Sequence, residues 1–271
     1  MTMLEVSGLT VRYRGSDRHA VDRISFSLDR SEVLGIVGES GSGKTTLGLA
    51  LLGLLPAGAD VAGTVLFEGQ DLVGSSEKQL RALRGTELST IVQNASTALN
   101  PSFTIGSQFV ALLRRHRGLS RDQARAEAVT WLTKVGIPSP ASRLSAYAHQ
   151  LSGGMNQRVV IAMALALQPT MVVADEPTSA LDVTVQAAVL RLLRALIDDS
   201  ASAMVLITHD LGVVAQLCDR VIVMHDGVVV EHGSVAEVLA APTHDYTRRL
   251  LASLPARRRR TAELDPAGGG A

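Results

Sequence analysis

The feature that most constrains this chain is Gly38-Glu39-Ser40-Gly41-Ser42-Gly43-Lys44-Thr45-Thr46. An apolar run over 33–37 precedes it and reads as a buried strand. An apolar-periodic stretch over 44–55 follows and predicts a helix. The pattern G-x-x-x-x-G-K-[ST] between a strand and a helix is a phosphate-binding loop. Its glycines let successive backbone N–H groups turn toward one anion, and the helix N-terminus adds partial positive charge. Lys44 is placed to reach β- and γ-phosphates, and the Thr45 hydroxyl to bind Mg²⁺. The loop implies a nucleoside triphosphate and leaves its use open.

The rest of the chain fits an α/β protein around that loop. Leu4, Val6, Leu9 and Val11, then Ile24, Phe26 and Leu28, predict half-buried antiparallel strands. Tyr13 closes the first of them, as a strand-edge aromatic or as a ring on which a base stacks. Short strands are predicted over 63–67 and 88–92, and 94–101 reads as loop. From 104 to about 166 the pattern is helical, with a capping box at Ser120-Arg121-Asp122-Gln123. About 60 residues of helix between β/α segments suggest a subdomain. Strands over 171–174, 204–207 and 221–224 alternate with helices, which implies a parallel sheet. Asp182 caps a helix whose predicted face carries Val185, Val189, Leu192, Leu193 and Leu196. Further helices are predicted after Ser234 and over 246–254.

Composition narrows the partners. Hydrophobic residues are 46% of the chain, aromatics 3%, and the formal net charge is zero. Neither a global field nor a stacking surface suits nucleic acid, so none is expected. The single cysteine, Cys218, is expected as a small buried residue in a reducing compartment. The N-terminus lacks a signal-peptide layout, and no stretch is long enough to span a bilayer. Arg257-Arg258-Arg259-Arg260 and the glycine-rich end read as a disordered tail over 256–271, either simply solvated or drawn to anionic lipid.

Several residues at predicted strand ends carry chemistry. Asp175 can hold Mg²⁺ and Glu176 can orient or deprotonate an attacking water. Gln93 and His209 also stand where ligands of open α/β sheets collect. An amide can ligate Mg²⁺ and orient water. His209 either bonds a γ-phosphate oxygen or is structural. Leu151-Ser152-Gly153-Gly154 is either an ordinary helix start or a second anion-binding N-terminus. Two phosphate-seeking helix ends and one triphosphate motif suggest a site shared between two chains.

Together these motifs resemble the ATP-binding subunits of ABC transporters, over residues 3–255. Within them the chain is similar to the dipeptide, oligopeptide and nickel importer group. The resemblance implies ATP and Mg²⁺ as cofactors and a P-loop NTPase core with a mostly parallel sheet. It adds an antiparallel β subdomain and an all-helical subdomain near 95–167, within one domain over 1–255. Carried over residue by residue, Tyr13 is the base-stacking aromatic, and Gly38, Ser40, Gly41, Ser42, Gly43, Lys44, Thr45 and Thr46 form the phosphate loop. Gln93 is the Q-loop glutamine, Ser152, Gly153 and Gly154 belong to the signature, and Asp175 joins Thr45 and Gln93 at the metal. Glu176 is the catalytic carboxylate, Ser179-Ala180-Leu181-Asp182 the D-loop, with Asp182 contacting the nucleotide, and His209 the switch histidine. The group resemblance rests on stretches such as Leu181-Asp182-Val183-Thr184-Val185-Gln186 and, partially, His244-Asp245-Tyr246-Thr247. The chain departs from the group at Ala95, Ala148, Asn156 and Asp245.

The implied partners are a second, similar ATPase subunit in a head-to-tail dimer, two membrane permease subunits and an extracytoplasmic solute-binding protein. The implied location is the cytoplasmic face of the membrane. The cargo expected is a di- or oligopeptide, with nickel or a metal chelate as the alternative. A soluble ABC-type ATPase acting on nucleic acid or ribosomes is the rival, disfavoured by the single cassette and the neutral charge.

Overall fold

A computed structural model of the chain describes residues 2–179 and 181–253. Residues up to Arg81 and from Ala203 onward form one unit, and Ala82–Ser202 form a second.

The first unit begins with β1 (Thr2–Arg12) and β2 (Val21–Asp29), followed by β3 (Val33–Val37), α1 (Lys44–Leu51), β4 (Asp60–Phe67) and β5 (Gln70–Asp71). These give an antiparallel sheet in the order β2-β1-β4-β5. Along β1 the buried residues switch from Leu4 and Val6 to Leu9 and Val11, a change of parity. A one-residue slip would turn every side chain to the wrong face. The register shifts between Val6 and Leu9, with Gly8 at a φ of 58°, keep both pairs inside. All five residues of β3 are buried, as a central parallel strand requires.

Helix α1 stops at Leu51, short of the predicted 44–55. Gly53, at a φ of 60°, sends its N–H to Ala50, and Leu54 sends its own to Leu49. That pair of bonds is a Schellman stop, available because glycine takes the left-handed conformation without cost. The chain continues into α2 (Glu77–Leu83).

In the second unit β6 (Leu88–Ile91) leads to α3 (Ala95–Ala98), where the sequence read as loop. The Asn94 carbonyl closes this turn by accepting the N–H groups of Thr97 and Ala98 and the Thr97 hydroxyl. Next come α4 (Ile105–Arg117), α5 (Arg121–Lys134), α6 (Pro140–Arg143) and a 3₁₀ turn at Ala148–Gln150. The Ser120–Gln123 capping box forms as the spacing predicts. Then follow α7 (Gly153–Leu165), β7 (Met171–Asp175) and α8 (Val183–Ser200), with β7 parallel to β6. The buried face of α8 is Val189, Leu190, Leu193 and Ile197, rotated from the predicted one so that Val185, Leu192 and Leu196 are half-buried.

The chain returns to the first unit with β8 (Ala203–Thr208), α9 (Leu211–Leu217), β9 (Arg220–His225), β10 (Val228–Ser234), α10 (Val235–Ala240) and α11 (Asp245–Ala252). β3 lies between β8 and β9, parallel to both, and β10 folds back antiparallel on β9. The turn between β9 and β10 is Asp226-Gly227, both at positive φ, which matches the twist of a hairpin. Cys218 ends α9 and is half-buried rather than buried, its sulfur facing Gly35 of β3. Among the described residues no helix is long and apolar enough to cross a membrane. The tail over 256–271 lies outside the described residues.

Candidate nucleotide site

In the first unit β3 delivers the chain into the phosphate loop. A Cβ on Gly38 would collide with the Met224 carbonyl, and one on Gly43, at a φ of 97°, with the Ala20 carbonyl. Only glycine lets the loop close against those backbones. Ser42 is buried, with its N–H on the Glu39 carbonyl at 3.2 Å. Lys44 is 6% exposed and holds its ammonium inside the loop, donating to the Gly38 carbonyl at 2.8 Å and the Glu39 carbonyl at 2.7 Å. Ser40, Gly41 and Thr45 are exposed. No acidic residue stands in the first turn of α1, so the positive end of that helix is not neutralised locally.

Tyr13 follows β1, and its hydroxyl meets that of buried Thr46 at 3.0 Å. This bond orients the ring from its polar end. His209 follows β8 and is exposed, while Asp210 caps α9 by accepting the Gly212 N–H at 2.8 Å.

In the second unit the parallel strands β6 and β7 carry three candidates at their C-terminal ends. Asp175 is half-buried at the end of β7. Glu176 follows in a left-handed conformation, φ 43°, that turns the chain sharply out of the strand. The Gln93 amide nitrogen donates to a Glu176 carboxylate oxygen at 2.9 Å, which leaves the amide oxygen as the free end of Gln93 in that bond. Gln93 and Glu176, distant in sequence, are therefore brought together as the strand-end argument expects.

Ser152 is the N-cap of α7, its hydroxyl oxygen accepting the Met155 N–H at 3.3 Å, so its proton is still available to donate. Gly153 and Gly154 open the helix, and a Cβ on Gly154 would lie 2.7 Å from Val185. The Asp182 carboxylate accepts the N–H groups of Thr184 at 3.1 Å and Val185 at 3.0 Å, so it caps α8. Ala180 of the D-loop stretch lies outside the described residues. Two of the departures meet: the Asn156 amide donates to the Ala148 carbonyl at 2.9 Å, fastening α7 to the 3₁₀ turn.

One contact to the phosphate loop was not among the sequence-based candidates. The Glu39 N–H donates to the Tyr246 hydroxyl at 2.9 Å. Its only trace in the sequence is the His244-Asp245-Tyr246-Thr247 stretch.

Among the described residues no group of three or more His, Cys, Asp or Glu is placed to hold a metal ion. The candidate donors Thr45, Gln93 and Asp175 are a hydroxyl, an amide and a carboxylate. Each offers an oxygen of the kind Mg²⁺ takes beside phosphates and water.

A profile of the ABC transporter family matches residues 21–179. The dipeptide transport ATP-binding protein DppD of Escherichia coli K12 is 48% identical over 258 residues, covering 94% of this chain and 79% of that protein. The oligopeptide transport ATP-binding protein OppD of Bacillus subtilis 168 is 46% identical over 257 residues, covering 93% and 72%. The glutathione import ATP-binding protein GsiA of Salmonella typhimurium LT2 is 47% identical over 262 residues, covering 93% of this chain and 42% of that longer protein. Among solved structures, cbiO1 from Clostridium perfringens, part of the cbiONQ ABC transporter complex, superposes with a TM-score of 0.77 at 28% identity, covering 96% and 98%. The ATP-binding cassette MJ0796 bound to ADP and Pi gives 0.76 at 27% identity, covering 86% and 99%. The chain belongs to the ABC transporter family and is an ATP-hydrolysing cassette of it.

Proposed function

We propose that this cassette powers the import of di- or oligopeptides through a membrane permease. The cargo is supported by relatives named for dipeptides, oligopeptides and glutathione. The cassette docks, at the cytoplasmic face of the membrane, on two permease subunits served by an extracytoplasmic binding protein. It works as a head-to-tail dimer with a second, similar ATPase.

The catalytic part rests on one observation, the Gln93–Glu176 hydrogen bond at the ends of β6 and β7. Tyr13 stacks on the adenine, and the N–H groups from Gly41 to Thr46 cradle the phosphates. Lys44 reaches the β- and γ-phosphates from inside the loop. Thr45, Gln93 and Asp175 would hold Mg²⁺, which would neutralise phosphate charge when bound. Glu176 polarises the attacking water and accepts its proton, Gln93 orients that water, and His209 bonds a γ-phosphate oxygen. Ser152, Gly153 and Gly154 offer their donors to the γ-phosphate on the partner chain. ATP thereby favours the closed dimer by differential contacts, and hydrolysis releases it.

The test is a pair of variants with ATP binding and phosphate release measured together. Glu176→Gln should bind ATP like wild type, lose about 10²-fold or more in turnover and elute as an ATP-dependent dimer. Undiminished turnover by Glu176→Gln refutes the catalytic assignment. Lys44→Ala should weaken ATP binding itself, and unaltered affinity there refutes the phosphate-loop assignment. Mass spectrometry of the ligand retained by the cognate binding protein checks the cargo.

A further inference from the structure

The phosphate loop is held from outside by a segment far along the chain. Glu39, its second residue, is gripped at both ends of its backbone. Its N–H donates to the Tyr246 hydroxyl at 2.9 Å, and its carbonyl accepts the Lys44 ammonium at 2.7 Å. The same ammonium reaches the Gly38 carbonyl at 2.8 Å. The peptide that Tyr246 fixes therefore helps to set where the Lys44 charge rests.

Tyr246 is itself fixed by packing and by a clasp. Its ring is 2% exposed and sits in a cluster with Val37, Val221, Val223, Val235 and Val238. It stacks on His225 with ring centroids 4.1 Å apart. The start of α11 is pinned by Glu231 of β10, 8% exposed, which accepts the N–H of Thr243 at 2.7 Å, the Thr243 hydroxyl at 3.0 Å and the His244 N–H at 3.1 Å. Burial alone would raise the Glu231 pKa. The neighbouring Thr247 hydroxyl and the hydrogen bonds from Thr243 and His244 outweigh it and hold the carboxyl below its usual value, in the charged form that accepts those bonds. A buried ring on a pinned helix has little rotamer freedom left, so its hydroxyl is a fixed point for the loop.

We propose that Tyr246 is a positioning residue for ATP: with Glu231 behind it, it clamps the Glu39 peptide and so pre-organises the phosphate loop and Lys44. A cradle already in its binding conformation spares the nucleotide the cost of ordering it. Tyr246→Phe deletes the hydroxyl and keeps the ring in its cluster. This proposal rests on the phosphate-loop reading, so Lys44→Ala is run beside it.

The experiment measures ATP affinity by equilibrium dialysis, steady-state kcat and KM, and ligand-free melting temperature for full-length wild type, Tyr246→Phe, Glu231→Gln and Lys44→Ala. The expected result is a rise of about three- to tenfold in the ATP Kd and KM of Tyr246→Phe, the range one hydrogen bond covers, with kcat at saturating ATP retained. Glu231→Gln is expected to raise both in the same direction, and it carries the test if Tyr246→Phe does not accumulate folded. A lowered melting temperature with unchanged Kd and KM overturns the proposal, because Tyr246 is then only a packing residue. Unaltered ATP binding by Lys44→Ala overturns the phosphate-loop reading and the clamp with it. Loss of binding in Lys44→Ala with none of the expected shift in the other two variants overturns the clamp alone.

Discussion

A single methyl group separates Gly38 from a side chain its surroundings cannot admit. A Cβ there would overlap the Met224 carbonyl and stand 2.7 Å from the Ser42 hydroxyl oxygen, whereas around Gly41 nothing lies within 4 Å. Backbone atoms cannot yield as a side-chain tip can. Gly38→Ala should therefore cost about 3 kcal/mol or more in chemical denaturation, since the loop and β9 must separate. Gly41→Ala meets only the penalty of its φ of 83°, about 1 kcal/mol. Equal destabilisation by the two would show that the close approach to Met224 does not govern the loop. At this scale the sequence was most readable where chemistry demands a spacing. The glycines, Lys44 and Thr45 stood in a fixed pattern, and Asp175, Glu176 and Gln93 stood at strand ends. Glu231 and Tyr246 were not readable, because a hydrogen bond between residues 39 and 246 leaves no local periodicity.

Helix termini explain much of how the elements hold their places. Ser152, Thr104, Ser120, Asp182 and Ser234 each accept an N–H of the helix they precede. Ser120 and Ser234 do so within complete capping boxes. Such short-range signals survive in sequence, which is why α5, α8 and α10 were legible. The misses were of another kind. The end of α1 is decided by a left-handed glycine, α3 by three bonds to one carbonyl, and the buried face of α8 by tertiary packing. Asp182 carries two assignments, capping α8 and contacting nucleotide, and two substitutions separate them. Asp182→Ala should cost about 1 kcal/mol of stability, while Asp182→Asn keeps the cap and costs little. If Asp182→Asn loses ATP turnover to the same extent as Asp182→Ala, the carboxylate charge matters to the reaction. If only Asp182→Ala loses turnover, the helix cap accounts for the effect.

For the whole molecule, the connectivity of the first unit matters most. β3, which feeds the phosphate loop, pairs along Val33–Val37 with β8 and from Leu34 to Val37 with β9. Both partners lie beyond the entire second unit in sequence. A fragment of residues 1–202 is therefore expected to contain the whole phosphate-loop motif and yet bind no ATP, with β3 unpaired and exposed. Near-native circular dichroism and ATP binding by that fragment would contradict this. Such non-local pairing also predicts slow folding, since the loop-closure entropy is lost before the sheet rewards it. The α/β class was legible from alternating elements, whereas neighbour order, with β3 between β8 and β9, was not.

The stacking of Tyr246 on His225 has an optical consequence. The chain holds three tyrosines and one tryptophan, so its near-ultraviolet spectrum is sparse. Burial first, then the carboxylates of Glu39 and Asp226, push the Tyr246 phenol above its usual pKa, so it ionises later than a free tyrosine as base is added. A buried ring whose oxygen touches the phosphate loop is a built-in chromophore at the nucleotide site. Its absorbance and circular dichroism should report movement of that loop in unlabelled protein, without a dye or an added cysteine.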